Sequence, residues 1–188
     1  GLTYPDSGIT ALDGIDFTLE PGQTMAVIGR TGSGKSTLAQ LVARLYDPTE
    51  GEVLIDGVAL PSNDLHALRE AIGYVPQDVF LFSDTIRSNI GFGLDDPDSA
   101  AIEQAAIDAD VHDNIVGFPE GYDTLLGERG VNLSGGQKQR ISIARAILKR
   151  PRILIFDDCL SAVDTETEAT ILGNLRRIME GRTSILIS

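Results

Sequence analysis

The stretch Gly29-Arg30-Thr31-Gly32-Ser33-Gly34-Lys35-Ser36 decides the fold. Its spacing is G-x-x-x-x-G-K-[ST], in which glycines let the backbone turn tightly and aim several N–H groups inward without a Cβ in the way. Lys35 adds a mobile positive charge, and Ser36 adds a hydroxyl that can serve Mg2+ as an oxygen ligand. A helix starting there turns its positive end toward the same point. The flanks agree: Thr24-Met25-Ala26-Val27-Ile28 reads as a short buried strand, and Leu38, Leu41, Val42 and Leu45 recur at helical spacing. Strand, glycine loop, helix is the arrangement that cradles a triphosphate. A nucleotide is therefore the expected ligand, whereas a plain glycine-rich turn would not need these flanks.

Working outward, 188 residues suffice for one domain that buries roughly 70% of its unfolded surface. The formal charge of -13, from 28 acidic and 15 basic residues, repels nucleic-acid backbones and anionic lipid, so no nucleic-acid partner is expected. The single cysteine, Cys159, excludes an internal disulfide framework and suits a reducing setting; it reads as a small apolar filler beside a strand. No apolar run approaches the roughly 18 residues of a membrane helix, and no basic-then-apolar leader is visible, so the chain is expected to be soluble. It opens on Gly1 and stops inside the apolar run Ile185-Leu186-Ile187, so both ends read as cuts in a longer protein.

Before the loop, Ile15, Phe17 and Leu19 alternate with Asp16, Thr18 and Glu20, which predicts a half-buried strand. After the first helix, Glu52-Val53-Leu54-Ile55, Asp56-Gly57 and Val58-Ala59-Leu60 predict a tight hairpin. Ile72 to Val75 reads as another buried strand ending at Pro76-Gln77. From there to about Ile143 a mainly helical insertion is expected. Asp96-Pro97 supplies N-cap and first-turn chemistry, and Ala101, Ile102, Ala105, Ala106 and Ala109 form one stripe. Ser134 is expected to cap a helix with Ile141, Ala144, Ile147 and Leu148 on one side, ended by Pro151. Ile153 to Phe156 is a fully apolar strand that delivers Asp157 and Asp158 at its carboxyl end, where ligands bind in open α/β sheets. A last helix runs from Thr165 to Glu180.

An aspartate at such a strand end is the usual second half of a Mg2+-nucleotide site, and Asp157 is the candidate. Leu133-Ser134-Gly135-Gly136-Gln137 offers a hydroxyl and glycine N–H groups at a helix start, which makes a second anion site on the same chain. One triphosphate has no obvious need for two.

Taken together these residues resemble the nucleotide-binding domain of ABC transporters from Tyr4 to Ser188, with the motifs in the family's order. Gly29 to Thr37 is similar to the Walker A loop, Gln77 to the Q-loop glutamine and Leu133 to Gln137 to the signature. Ile153 to Asp157 is similar to Walker B, and Ser161-Ala162-Val163-Asp164 to the D-loop. The resemblance implies an α/β fold: a P-loop NTPase (RecA-like) core with an antiparallel β subdomain and an inserted helical subdomain. The parts would be 1–75, 76–143 and 144–188. It implies ATP bound by Tyr4 (adenine), Gly29, Thr31, Gly32, Ser33, Gly34, Lys35, Ser36 and Thr37, and Mg2+ served by Ser36, Gln77 and Asp157. Lys35, Gln77 and Asp158 would be catalytic. Ser134, Gly135, Gly136 and Gln137 would touch the ATP held by a second nucleotide-binding domain, which resolves the second anion site.

Phe82 to Ile90 and Gly127-Glu128-Arg129-Gly130 resemble exporters more than importers. The implied protein is an ATP-driven exporter motor at the cytoplasmic face of the cell (inner) membrane, attached to transmembrane domains, with Gln77 and the region Phe80 to Ile90 carrying nucleotide state to them. Two positions depart from the pattern. Asp158 stands where the family has a glutamate, one methylene short, which implies a slow site and favours a heterodimer; Leu125 stands where exporters commonly carry glutamate. The family's γ-phosphate histidine would fall beyond Ser188, and His66 and His112 read as exposed surface residues instead. The alternatives are a soluble ABC ATPase working on DNA or ribosomes, which here lacks coiled-coil insertions, and a small-molecule P-loop kinase, which has no use for a signature.

Overall fold

A computed structural model describes residues 1–127, 130, 132–159 and 165–188, with the backbone alone for 165–170. In chain order its elements are β1 (Leu2–Thr3), β2 (Thr10–Leu12), β3 (Thr24–Val27), α1 (Lys35–Val42), β4 (Leu54–Ile55), β5 (Val58–Ala59), α2 (Leu65–Ala71) and β6 (Ile72–Val75). There follow α3 (Ile86–Gly91), α4 (Ser99–Asp108), α5 (His112–Val116), α6 (Gly135–Leu148), β7 (Ile153–Asp157), α7 (Thr165–Met179) and β8 (Thr183–Ile187).

The central sheet is parallel, in the order β3-β8-β7-β6. β7 is apolar without alternation because both of its faces are covered. Leu154 and Phe156 join a core with Ile141 and Ala144 of α6 and with Ile171 and Leu175 of α7. Ile155 joins the opposite core with Ala39 and Ala43 at the α1 side and Ile185 and Ile187 of β8. Side chains alternate along a strand, so Asp157 emerges on the face of Ile155, toward α1.

Two antiparallel pairs flank the sheet, β1 with β2 and β4 with β5. In the second, Asp56 and Gly57 both have positive φ (51° and 77°), as a type I′ hairpin turn requires. The strand expected over Ile15 to Leu19 does not form: these residues pair with no strand, and Ile15 and Phe17 are exposed. Alternation marks a side that could face a core, but a strand also needs a ladder partner, and none of the described residues supplies one.

The inserted helices pack on α6. Ile102, Ala105, Ala106 and Ala109 are buried as one stripe against the same core as Ile86, Ile90 and Ile115. Asp98, rather than Asp96, caps α4, its side chain accepting from the Ala100 N–H; Asp96 has φ 51°, outside the extended conformation that an N-cap takes, whereas Asp98 has it (φ -57°, ψ 132°). Ile143 and Ala146 are buried along with Ile141, Ala144 and Ile147 of the expected stripe of α6, Leu148 being half-buried, because this helix lies between α3, α4 and β6. It runs unbroken through the 143/144 boundary.

Candidate nucleotide-binding site

The phosphate loop leaves the carboxyl end of β3 and closes on Gly34, whose φ of 89° precedes α1. A Cβ at Gly34 would collide with the Ala11 carbonyl oxygen, so β2 presses directly on the loop and only glycine fits. Thr31, Gly32 and Ser33 are exposed, while Lys35 crosses the loop, its Nζ donating to the carbonyls of Gly29 (2.6 Å) and Arg30 (3.1 Å). Thr37 is buried and turned the other way: its Oγ1 lies 2.9 Å from the Tyr4 hydroxyl. Tyr4 packs beside Leu2, Leu12 and Leu41 and meets Tyr46 edge to face at 5.3 Å. The ring expected against adenine is thus tethered to the first turn of α1.

Asp157 is only 2% exposed. Its Oδ1 accepts from Ser36 Oγ at 2.9 Å, which joins the phosphate loop to the end of β7, and its Oδ2 accepts from the Tyr74 hydroxyl at 3.4 Å. Burial, then the charge of Asp157, then that hydrogen bond push the Tyr74 phenol above its ordinary range, so it remains a donor. Among the described residues no cation pairs with Asp157 and no cluster of three or more His, Cys, Asp or Glu residues could hold a metal. A buried carboxylate beside one hydroxyl, without a protein cage, is the donor set that Mg2+ accepts when waters and phosphates complete its shell. The residues fit that ion.

Asp158 follows with φ 45°, its N–H bonded to the Ile187 carbonyl at 3.0 Å. Its Oδ2 accepts from Gln77 Nε2 at 3.1 Å, so the two catalytic candidates touch each other. Gln77 is held in turn by Gln139 of α6, whose Nε2 donates to the Gln77 carbonyl at 3.0 Å. Sequence reasoning passed over Gln139, although it lies four residues before the buried Ile143; a glutamine on a buried helical stripe needs a polar partner. Tyr74 was passed over as well, being one residue in an apolar strand.

Ser134 and Gln137 form a reciprocal capping box at the start of α6: Ser134 Oγ accepts from the Gln137 N–H (3.2 Å), and Gln137 Oε1 accepts from the Ser134 N–H (3.0 Å). Ser134 and Gly135 are exposed, and this box makes no hydrogen bond to Gly29 to Thr37 of the same chain.

After Gln77 the chain is pinned by a knot around the buried Asn89. Arg145 of α6 donates Nε to the Asn89 carbonyl (2.7 Å), Nη2 to Asn89 Oδ1 (3.0 Å) and Nη1 to the Phe80 carbonyl (3.0 Å). Its guanidinium lies 5.8 and 5.7 Å from the centres of the Phe82 and Phe92 rings, and burial lowers its pKa to about 10. Beside this knot a groove of about 670 Å³ opens between Asp64, Arg69, Tyr74, Phe92 and Lys149.

Cys159 is buried, as expected of a filler, with burial first and the neighbouring aspartates after it pushing its thiol up to about 12. His66 is exposed as expected. His112 is not: it is half-buried with Nδ1 2.8 Å from the Tyr122 hydroxyl, because that buried phenol needs a partner. Leu125 is exposed and bridges Thr85. Ser161 to Asp164 and the pair Glu128-Arg129 lie outside the described residues.

Residues 12–161 match the family model described as ABC transporter. The chain belongs to the ABC transporter family. Its relatives include the multidrug resistance-like ATP-binding protein MdlA of Escherichia coli, 50% identical over 98% of this chain and 31% of its own length. An ATP-dependent lipid A-core flippase of Pseudomonas fluorescens is 50% identical over all of this chain and 31% of its own length. A solved structure, described as a bacterial Atm1-family ABC exporter with ATP bound, superimposes with a TM-score of 0.86 at 48% identity, covering 89% of this chain and 30% of that one. The chain therefore spans about a third of the length of the curated relatives it matches. It is an ABC ATPase domain with the expected P-loop NTPase fold.

Proposed function

We propose that this ABC domain is the ATP-hydrolysing motor of an exporter. The observation that carries the reading is the 2.9 Å bond from Ser36 on the phosphate loop to Asp157 at the end of β7, which assembles both halves of a Mg2+-nucleotide site. The loop amides and Lys35 bind and orient the β- and γ-phosphates. Ser36, Asp157 and Gln77 would hold Mg2+, which would supply positive charge to the phosphate oxygens. Asp158 acts as a weak base toward the attacking water, with Gln77 holding its carboxylate. Tyr4 stacks on adenine.

Ser134 to Gln137 engage the ATP of a second nucleotide-binding domain, so two domains close head to tail when ATP binds and open after hydrolysis. The capping box, whose Ser134 is exposed and which makes no hydrogen bond to the phosphate loop of its own chain, supports this division of labour. The short carboxylate of Asp158 favours an unlike partner with a complete glutamate. Residues 1–75 and 144–188 form the core and β subdomain, and 76–143 the helical subdomain. The groove beside Arg145 and the segment Phe80 to Ile90 face the attached transmembrane domains, at the cytoplasmic side of the membrane. Relatives named for multidrug resistance and lipid A-core flipping favour the exporter over a DNA- or ribosome-associated ATPase.

The test uses the intact protein in membrane vesicles. ATP-dependent substrate movement and ATP turnover are expected, both falling by about 100-fold or more in Lys35→Ala, as when a principal charge-stabilising group is removed. ATP turnover without any dependence on Lys35, or none in wild type, would sink the reading.

A further inference from the structure

Tyr74 and Asp157 form a diagonal pair across two neighbouring strands. Tyr74 is in register with Ile155, and Asp157 lies two residues further along β7 on the same face, the one that α1 covers. The phenol therefore reaches the carboxylate from the neighbouring strand, and the two oxygens are held from two different elements: Oδ1 by α1 and Oδ2 by β6.

A carboxylate rotates easily about its last torsion, whose minima are broad and two-fold. One donor at Oδ1 leaves that rotation free to swing; a second donor at Oδ2 sets the plane. The 3.4 Å separation is long for an O–H···O bond, but the carboxylate is almost entirely buried, so the contact has little competition from water. We propose that Tyr74 is a positioning residue that fixes the plane of the Asp157 carboxylate, keeping Oδ1 turned toward Ser36 and the Mg2+ of the bound nucleotide. The proposal rests on the reading of Ser36 and Asp157 as the ion's ligands.

The experiment replaces one oxygen, Tyr74→Phe, in the intact protein. Mn2+ stands in for Mg2+, and its affinity in the presence of ATP is read by electron paramagnetic resonance, with ATP affinity in EDTA measured alongside. Loss of one hydrogen bond as long as this, taken at the ordinary net worth of a single bond, is expected to weaken Mn2+ binding about three- to tenfold. The Mg2+ concentration for half-maximal ATP turnover rises by the same factor, while the rate at saturating Mg2+ stays within about twofold and ATP affinity in EDTA is unchanged. Unchanged or tighter Mn2+ binding overturns the proposal, as does an equal loss of ATP affinity in EDTA, which marks a packing defect. A wild-type protein that binds ATP but takes up no Mn2+ overturns the ligand reading itself, and the proposal with it.

Discussion

Lengthening Asp158 by one methylene should accelerate the enzyme. In the structure its Oδ2 is tied to Gln77 Nε2 at 3.1 Å, and the residue leaves β7 with φ 45°, so backbone and side chain are both held. One added carbon carries the carboxylate outward by about 1.5 Å, the length of a C–C bond. Misplacement by about 1 Å costs on the order of 100-fold in rate, so a carboxylate one methylene short accounts for a loss of about 10- to 100-fold. Asp158→Glu is expected to recover most of it. Gln77 is exposed and can follow the longer side chain. Steady-state ATP turnover of the intact, assembled protein is the assay, with fluorescent-nucleotide affinity measured in parallel and expected to change by less than about twofold. An unchanged or lower turnover, with ATP still bound, would refute the argument from reach and leave Asp158 as a group that orients Gln77.

Asn89→Ala should destabilise the helical part by about 2–4 kcal/mol in denaturant titration, since about 1–3 kcal/mol attends each buried polar group left unpaired. The buried Asn89 amide bonds the N–H and carbonyl of Phe82, the Asp84 and Thr85 carbonyls and Arg145; a loss under about 0.5 kcal/mol would mean that water replaces them all. Cys159 should resist iodoacetamide in the native protein at pH 8 and react fully in denaturant. Because folding raises its thiol from 9.0 to about 12, the associated stability is present below about pH 9 and is lost as pH rises toward 12. Cys159→Ala is expected to flatten that alkaline slope, and an unaltered slope would remove the thiol as its source.

The features legible in the sequence are the local ones. The phosphate loop, the Asp56-Gly57 hairpin and the Ser134 cap each depend on residues a few positions apart, and the structure places each where its spacing indicated. The strand expected at Ile15 to Leu19 failed for want of a ladder partner among the described residues, and the α4 cap moved to Asp98 because Asp96 takes a left-handed φ of 51° that no N-cap adopts. His112 looked like surface until Tyr122 was folded against it.

By itself the sequence determined which groups this ABC domain offers as candidates for phosphate and metal, because glycine conformation, helix starts and strand ends are written in short spacings. Only the tertiary structure decided which of them meet. The parallel register of β6 against β7 brings Tyr74 to Asp157, the end of β7 brings Asp158 to Gln77, and α6 reaches Gln77 through Gln139. Such pairings depend on strand order and helix packing between segments far apart in the chain, and no local spacing encodes them.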